Sequence, residues 1–99
     1  MNLKEDKDQL IDMLISEDKE IRNLALNSIR NNYDTDFNYT FSCSVNDGIR
    51  LKISENKNEF CFNVDYFLEC MLCSLTKKST IREVLDLIIE YNELKRRQG

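Results

Sequence analysis

Apolar and polar residues alternate strictly in three consecutive runs near the middle of the chain. In the first run, aromatic residues, cysteine and valine occupy every second position, with asparagine, threonine and serine between them. The second run alternates isoleucine and leucine with arginine and lysine, and the third alternates phenylalanine with cysteine and asparagine. A period of two is typical of a β-strand with one buried and one solvated face. The pattern therefore predicts three strands, at residues 37–45, 49–54 and 60–64.

Two polar connections separate these runs. Asp47 and Gly48 suit a tight hairpin turn, because a glycine accepts the positive φ that such a turn requires. Residues 55–59 are polar throughout and predict a longer loop. The short connections predict an antiparallel meander over residues 37–64, in which each strand pairs with the next one along the chain.

Apolar positions spaced three and four residues apart predict helices on both sides of the strands. Two helices are predicted at residues 2–15 and 19–33, and two more within residues 65–97, with a break at the polar residues 77–79. The polar residues 31–36 are expected to connect the second helix to the first strand. The apolar stripes expected for the second and third helices consist of Ile21, Leu24, Ala25, Ser28 and Ile29, and of Val64, Phe67, Leu68, Met71, Leu72 and Leu75. Thr80 and Glu83 have the spacing of a capping box, which predicts the start of the last helix. The other candidate N-caps are Asn2, Ser16 or Asp18, and Asn63 or Asp65.

These elements predict an α+β fold in the order ααβββαα, and 99 residues are expected to form a single domain. A helical hairpin is expected at residues 1–33, the meander at 37–64 and two helices at 65–97. The last two helices are expected to cover the apolar face of the meander. The predicted core residues are Phe41, Leu51, Phe62, Phe67, Leu72, Val84 and Ile88.

The last predicted helix carries apolar residues around more than half of its circumference. One face of it suffices to cover the sheet, which leaves Leu87, Ile89 and Tyr91 to be covered by the N-terminal hairpin or by a second chain. A twofold homodimer through these three residues is the favoured arrangement, since cyclic dimers are the commonest assemblies.

Negative charge is concentrated at the N-terminal end of the chain. The formal net charge of the protein is −4, and residues 1–20 alone account for it, with seven acidic residues against three lysines. A solvated helix face is the simple interpretation of such a segment. The functional interpretation is an acidic surface that docks on a basic partner. Its candidate binding residues are Glu5, Asp8, Asp12, Glu17, Asp18 and Glu20.

The sequence contains no pattern typical of an active site, a cofactor site or a metal site. Histidine is absent, which excludes Ser-His and Cys-His pairs, and two glycines are too few for a phosphate-binding loop. Cys70 and Cys73 form a C-x-x-C pair, but the other two cysteines, Cys43 and Cys61, are expected on opposite faces of the sheet. We therefore predict neither a metal nor a cofactor, and no enzymatic activity.

The favoured function is that of a small protein-binding protein, an adaptor or an inhibitor, which acts through the acidic N-terminal surface. The abundance of asparagine, lysine and isoleucine is typical of AT-rich genomes and suggests a phage or mobile element, with an inhibitor of the anti-CRISPR type as one version. The expected partner is a basic, nucleic-acid-handling protein. A cytoplasmic location is expected, because no apolar run is long enough to span a membrane and the first residues lack the apolar core of a signal peptide.

The alternative function is that of a nucleic-acid-binding regulator. It would use the basic tail formed by Lys95, Arg96 and Arg97 together with the polar face of the sheet. The acidic net charge and the inward direction of the aromatic residues both argue against it. The sheet-face residues are Asn38, Thr40, Ser42, Ser44, Arg50, Lys52 and Asn63.

Overall fold

The computed structural model describes the backbone of residues 3–44, 48–54 and 61–98, and the side chains of residues 7–41, 50–54 and 61–97. It confirms the α+β class and the order ααβββαα. The helices are α1 (Leu3–Leu14), α2 (Lys19–Asn32), α3 (Val64–Cys73) and α4 (Lys78–Gln98). The strands are β1 (Asn38–Ser44), β2 (Gly48–Ile53) and β3 (Phe62–Asn63).

Two of the expected N-caps are confirmed by hydrogen bonds at the starts of α2 and α3. The Asp18 carboxylate accepts a hydrogen bond from the Glu20 backbone N–H at 2.9 Å and begins α2. The Asn63 side chain accepts one from the Tyr66 N–H at 3.1 Å and begins α3. The capping box at Thr80 was wrong. Because the Lys77 carbonyl already accepts a hydrogen bond from the Ile81 N–H, α4 begins at Lys78 and Thr80 lies inside it.

The sheet has the order β2-β1-β3, with both pairs antiparallel, so β1 is the central strand. This differs from the strand order of a meander, in which β2 would be central. The short β3 pairs with the beginning of β1, where Asn63 lies opposite Asn38 and Phe62 opposite Tyr39. The Val64 N–H continues this pairing by donating to the Phe37 carbonyl at 2.9 Å, so β3 leads directly into α3.

The elements form three layers. Helix α4 packs against β2 on one side and against α1 on the other, while α3 contacts β3 and α2. Aromatic contacts join the sheet to the middle layer: Phe37 stacks on Tyr91 with ring centroids 3.9 Å apart, and Tyr39 meets Phe67 edge-on at 6.0 Å. The last two helices therefore cover the apolar face of the sheet, and the N-terminal hairpin covers those helices in turn.

This arrangement determines which of the predicted core residues are buried. Val84 and Ile88 are fully buried, whereas Leu51, Phe62, Phe67 and Leu72 are partly buried and pack against the core. Phe41 was wrongly predicted, since 52% of it is exposed. It points to the same face as Tyr39 but lies further along β1, where the ring of Phe62 contacts it at 5.6 Å. Leu75, expected in the stripe of α3, is also exposed, because α3 ends at Cys73 and Ser74 adopts an extended backbone.

The residues proposed for self-association are covered to different degrees within the chain. Leu87 is buried, Ile89 packs against the core and Tyr91 stacks on Phe37. Helix α1 packs against α4 and provides contacts that the sequence analysis assigned either to the N-terminal hairpin or to a second chain. A homodimer through this face, with Ile89 and Tyr91 still partly exposed, stays a prediction.

The buried face of α2 contains an arginine. Arg22, with only 6% of its surface exposed, occupies this face with Ala25, Leu26 and Ile29. Its guanidinium donates to the carbonyls of Met71 (3.1 Å) and Leu72 (2.9 Å) at the end of α3. It also donates to the Ser16 carbonyl, just after α1, at 2.8 Å. Carbonyls in the last turn of a helix lack intrahelical partners, so Arg22 satisfies two of those of α3 and links them to the turn that follows α1.

The sequence pattern located this face only in part, since Ala25 and Ile29 are buried as it predicted. It predicted that Ile21 and Leu24 lie in the apolar stripe of α2, yet 38% and 61% of these residues are exposed. The buried positions instead include Arg22 and Leu26. Arg22 thereby brings hydrogen-bond donors for the carbonyls of Ser16, Met71 and Leu72 into the buried face of α2.

Candidate protein-binding surfaces

The acidic residues of the hairpin lie on its outer surface. Asp8 and Asp12 are four residues apart on α1, and therefore on one face of it, away from the buried Leu10, Ile11 and Leu14. Exposed carboxylates continue through the turn into α2 with Glu17, Asp18 and Glu20. The side chain of Glu5 lies outside the described residues.

These carboxylates have no cationic partners among the described residues. Among residues 7–41, 50–54 and 61–97, the described ion pairs join Lys7 to Asp86, Arg30 to Asp65 and Glu69, and Lys95 to Asp34. The ammonium group of Lys7 on α1 lies 2.8 Å from a carboxylate oxygen of Asp86 on α4. The described ion pair of this lysine is therefore with another helix and not with a carboxylate of α1. The exposed carboxylates of Asp8, Asp12, Glu17, Asp18 and Glu20 are here called the acidic hairpin surface.

One member of this surface already has a structural role. Asp18 caps α2 through the Glu20 N–H, and its own N–H donates to the Ser16 hydroxyl at 3.1 Å. A charge-reversing substitution there would disturb the turn between α1 and α2 as well as any interface. The side chains of Asp8 and Asp12, like those of Glu17 and Glu20, take part in no described hydrogen bond, so they can be changed without disturbing this turn.

A second acidic region, not expected from the sequence, lies where α2 leads into the sheet. Its centre is Arg30, whose guanidinium binds Asp65 at 2.9 Å and Glu69 at 2.8 Å. Thr35 donates its hydroxyl to the same Asp65 carboxylate at 3.0 Å, and Asn63 donates to Asp36 at 3.2 Å. The shallow groove here has a volume of about 690 Å³. It is lined by Arg30, Tyr33, Asp34, Thr35, Asp36, Asp65 and Glu69.

The hydrogen bonds in this groove show that its carboxylates hold the chain together. They link α2, the segment before β1 and the start of α3, three parts of the sequence that are far apart. Sequence reasoning missed the cluster because no local spacing connects Arg30 with residues 65–69. The polar residues that follow α2 marked this segment only as a connection.

Lys95 belongs to the same network and not to a free basic tail. Its ammonium group donates to Asp34 at 2.5 Å, while Asn92 and the Asp34 backbone exchange hydrogen bonds of 2.9 and 3.1 Å. The hydrogen bond from Lys95 lowers the pKa of Asp34, although burial acts in the opposite direction. The same hydrogen bond raises the pKa of Lys95.

This contact predicts how the pKa of Asp34 responds to mutation. Since the folded protein favours the ionised carboxylate, its contribution to stability is present above the ordinary pKa of about 3.9 and is lost as the pH falls through the lowered value. Replacing Lys95 with glutamine is expected to raise the pKa of Asp34 towards that ordinary value. NMR titration of the carboxyl carbon measures it, with Arg96→Gln as the control. An unchanged pKa in Lys95→Gln would contradict the assignment.

The surfaces of the alternative, nucleic-acid-binding function are partly occupied. Arg50 and Lys52 are exposed on the polar face of the sheet, as are Arg96 and Arg97 on α4, but Lys95 is paired. Asn38 is exposed, Thr40 is half-buried, and Asn63 caps α3. The side chains of Ser42 and Ser44 lie outside the described residues.

The outer face of α3 is a third exposed surface. Tyr66 has 70% of its surface exposed, and Cys70 and Cys73 are exposed free thiols one helical turn apart. They line a shallow cleft of about 310 Å³ together with Glu69 and Ser74. Burial raises the pKa of Tyr39, on the inner side of α3, and the electrostatic influence of the nearby Cys70 acts in the same direction.

Within residues 7–41, 50–54 and 61–97, no group of three or more cysteine, aspartate and glutamate side chains is placed to hold a metal ion. Cys61 is half-buried, and the side chain of Cys43 lies outside the described residues. None of the helices in the described part of the chain is long and apolar enough to cross a membrane.

Comparisons with models of protein families, with curated proteins and with solved structures find no match for this chain. Its own residues and geometry are therefore the basis for proposing a function.

Proposed function

We propose that this protein is a non-enzymatic protein-binding protein that docks the acidic hairpin surface on a basic partner. The observation that carries the proposal is the set of exposed carboxylates without described cationic partners, which begins with Asp8 and Asp12 on α1. Unpaired surface charge of one sign steers a partner of opposite sign and sets its orientation.

Apolar side chains on the same hairpin support a protein partner. Ile15, Ile21 and Leu24 are exposed by 37%, 38% and 61%, and all three come from the end of α1 or the first turns of α2. Protein interfaces combine an apolar centre with a polar rim. A basic, nucleic-acid-handling protein fits such a surface, because carboxylates can occupy a groove that normally holds phosphates. An inhibitor of this kind, encoded by a phage or mobile element, is the specific role we propose.

The test starts with identification of the partner. Tagged wild-type protein is used to capture proteins from the source cell, and the captured protein is then purified. Its affinity is measured for the wild type, for Asp8→Lys/Asp12→Lys, and for the control Glu83→Lys/Glu90→Lys. Both double variants change the net charge by the same amount, but Glu83 and Glu90 lie on α4. All three proteins must first show the same far-ultraviolet circular dichroism spectrum.

The hairpin variant is expected to bind at least tenfold more weakly, which corresponds to about 1.4 kcal/mol. The control is expected to bind as the wild type does. Equal affinities of wild type and hairpin variant would overturn the proposed surface. Binding of a random oligonucleotide with a steep salt dependence, in the absence of any protein partner, would instead support the nucleic-acid-binding alternative.

A further inference from the structure

The C-terminal turn of α3 presents two free thiols on one exposed face. Cys70 and Cys73 are three residues apart, both are exposed, and both line the cleft beside Tyr66. Positions i and i+3 of a helix have Cβ atoms about 5–6 Å apart, whereas a disulfide requires about 3.5–4.5 Å. The two cysteines therefore need to approach by roughly 1–2 Å to form a bond.

The position of the pair at the helix end allows this approach. Cys73 is the last residue of α3, and Ser74 already has an extended backbone. The Ser74 N–H donates to the Cys70 carbonyl at 3.2 Å and closes this final turn. If the turn tightens to 3₁₀ geometry, side chains at i and i+3 come into line, and such tightening is common at helix ends. The turn can change its winding while the preceding turns of α3 stay packed.

We propose that Cys70 and Cys73 are a reversible redox site that reacts with a low-molecular-weight disulfide such as oxidised glutathione. The thiolate of one cysteine attacks a sulfur of the small disulfide, forms a mixed disulfide and releases one small thiol. The second cysteine, as its thiolate, attacks the protein sulfur of the mixed disulfide and releases the other small thiol. Two protein thiols are thereby oxidised, one small disulfide is reduced to two thiols, and the protons pass to solvent and the released thiolates.

Formation of the disulfide in this turn would weaken hydrogen bonds of the buried Arg22. The two carbonyls that Arg22 binds in α3 belong to Met71 and Leu72, the residues between the two cysteines. Tightening of the turn reorients both carbonyls and weakens these hydrogen bonds. Oxidation at the surface of α3 is therefore expected to loosen its contact with α2. Strained and exposed disulfides are also the readily reduced ones, which suits a reversible site.

The test exposes the full chain to buffers with different ratios of oxidised to reduced glutathione, followed by acid quenching, alkylation and mass spectrometry. The wild type is expected to form one internal disulfide within the peptide that contains residues 70 and 73. Cys70→Ser and Cys73→Ser are expected to retain one glutathione on the remaining cysteine, and Cys61→Ser is expected to behave as the wild type does. A wild type that stays reduced, collects glutathione at both positions, or pairs through Cys43 or Cys61 would overturn the site.

A second measurement tests the link to Arg22. The oxidised wild type is expected to melt at a lower temperature than the reduced protein, and hydrogen exchange is expected to be faster at the end of α3. Cys73→Ser, placed in the same buffers, is expected to show neither difference. If the disulfide forms while melting and exchange stay unchanged, the proposed link between the thiols and Arg22 is wrong.

Discussion

Replacing Arg22 with methionine is expected to lower the free energy of unfolding by about 3 kcal/mol. Methionine fills a similar space but donates no hydrogen bonds, so the carbonyls of Ser16, Met71 and Leu72 lose their partner. A buried polar group left without a partner costs about 1–3 kcal/mol, and the bond to Met71 is fully buried while the other two are partly buried. For a chain of this size the melting temperature should fall by roughly 12–24 °C.

The matched control is Arg30→Met. Arg30 lies on the same helix and also binds through its guanidinium, but its carboxylate partners Asp65 and Glu69 have 43% and 57% of their side chains exposed. Partly exposed ion pairs contribute about 1 kcal/mol or less. Urea denaturation followed by circular dichroism measures both variants. Equal losses would show that the buried position of Arg22 between the end of α3 and the turn after α1 has no special importance.

Leu85→Ala is the second large effect, with an expected loss of about 2–5 kcal/mol. Leu85 is completely buried on α4, the helix that lies between the sheet and α1. Truncation removes apolar contacts and leaves a cavity that its neighbours fill only in part. The same substitution at Leu24, which is 61% exposed, is expected to change stability by less than about 0.5 kcal/mol. A loss at Leu85 as small as that at Leu24 would contradict the placement of α4.

The sequence pattern predicted the elements well because periodicity is a local property. A repeat of 3.6 or 2 shows which residues share a face, and all four helices and the three strands were identified from it. It cannot show how far a covering element extends along that face. Phe41 has the correct parity but lies beyond the cover that reaches Tyr39, and Leu75 has helical spacing but lies after the end of α3.

Local sequence patterns could not predict which strands, distant in the chain, pair with each other. Turn residues indicate that consecutive strands can pair, so they favoured a meander, whereas the contact of Phe62 with Tyr39 makes β1 the central strand. Arg22 was missed because an arginine in a polar helix is normally solvated. A signal was present, since Arg22 stands three, four and seven residues before Ala25, Leu26 and Ile29, on one helical face.

The central position of α4 has a consequence for the order of folding. Its buried residues, from Ile81 to Ile88, complete both the sheet layer and the hairpin layer, yet they are synthesised after both. The ion pair between Lys7 and Asp86 spans 79 positions of the chain, and contacts of such sequence separation form slowly. During synthesis the apolar faces of α1 and of the sheet therefore remain exposed to solvent until α4 has been synthesised. That interval is when the nascent chain is most exposed to aggregation and to binding by chaperones.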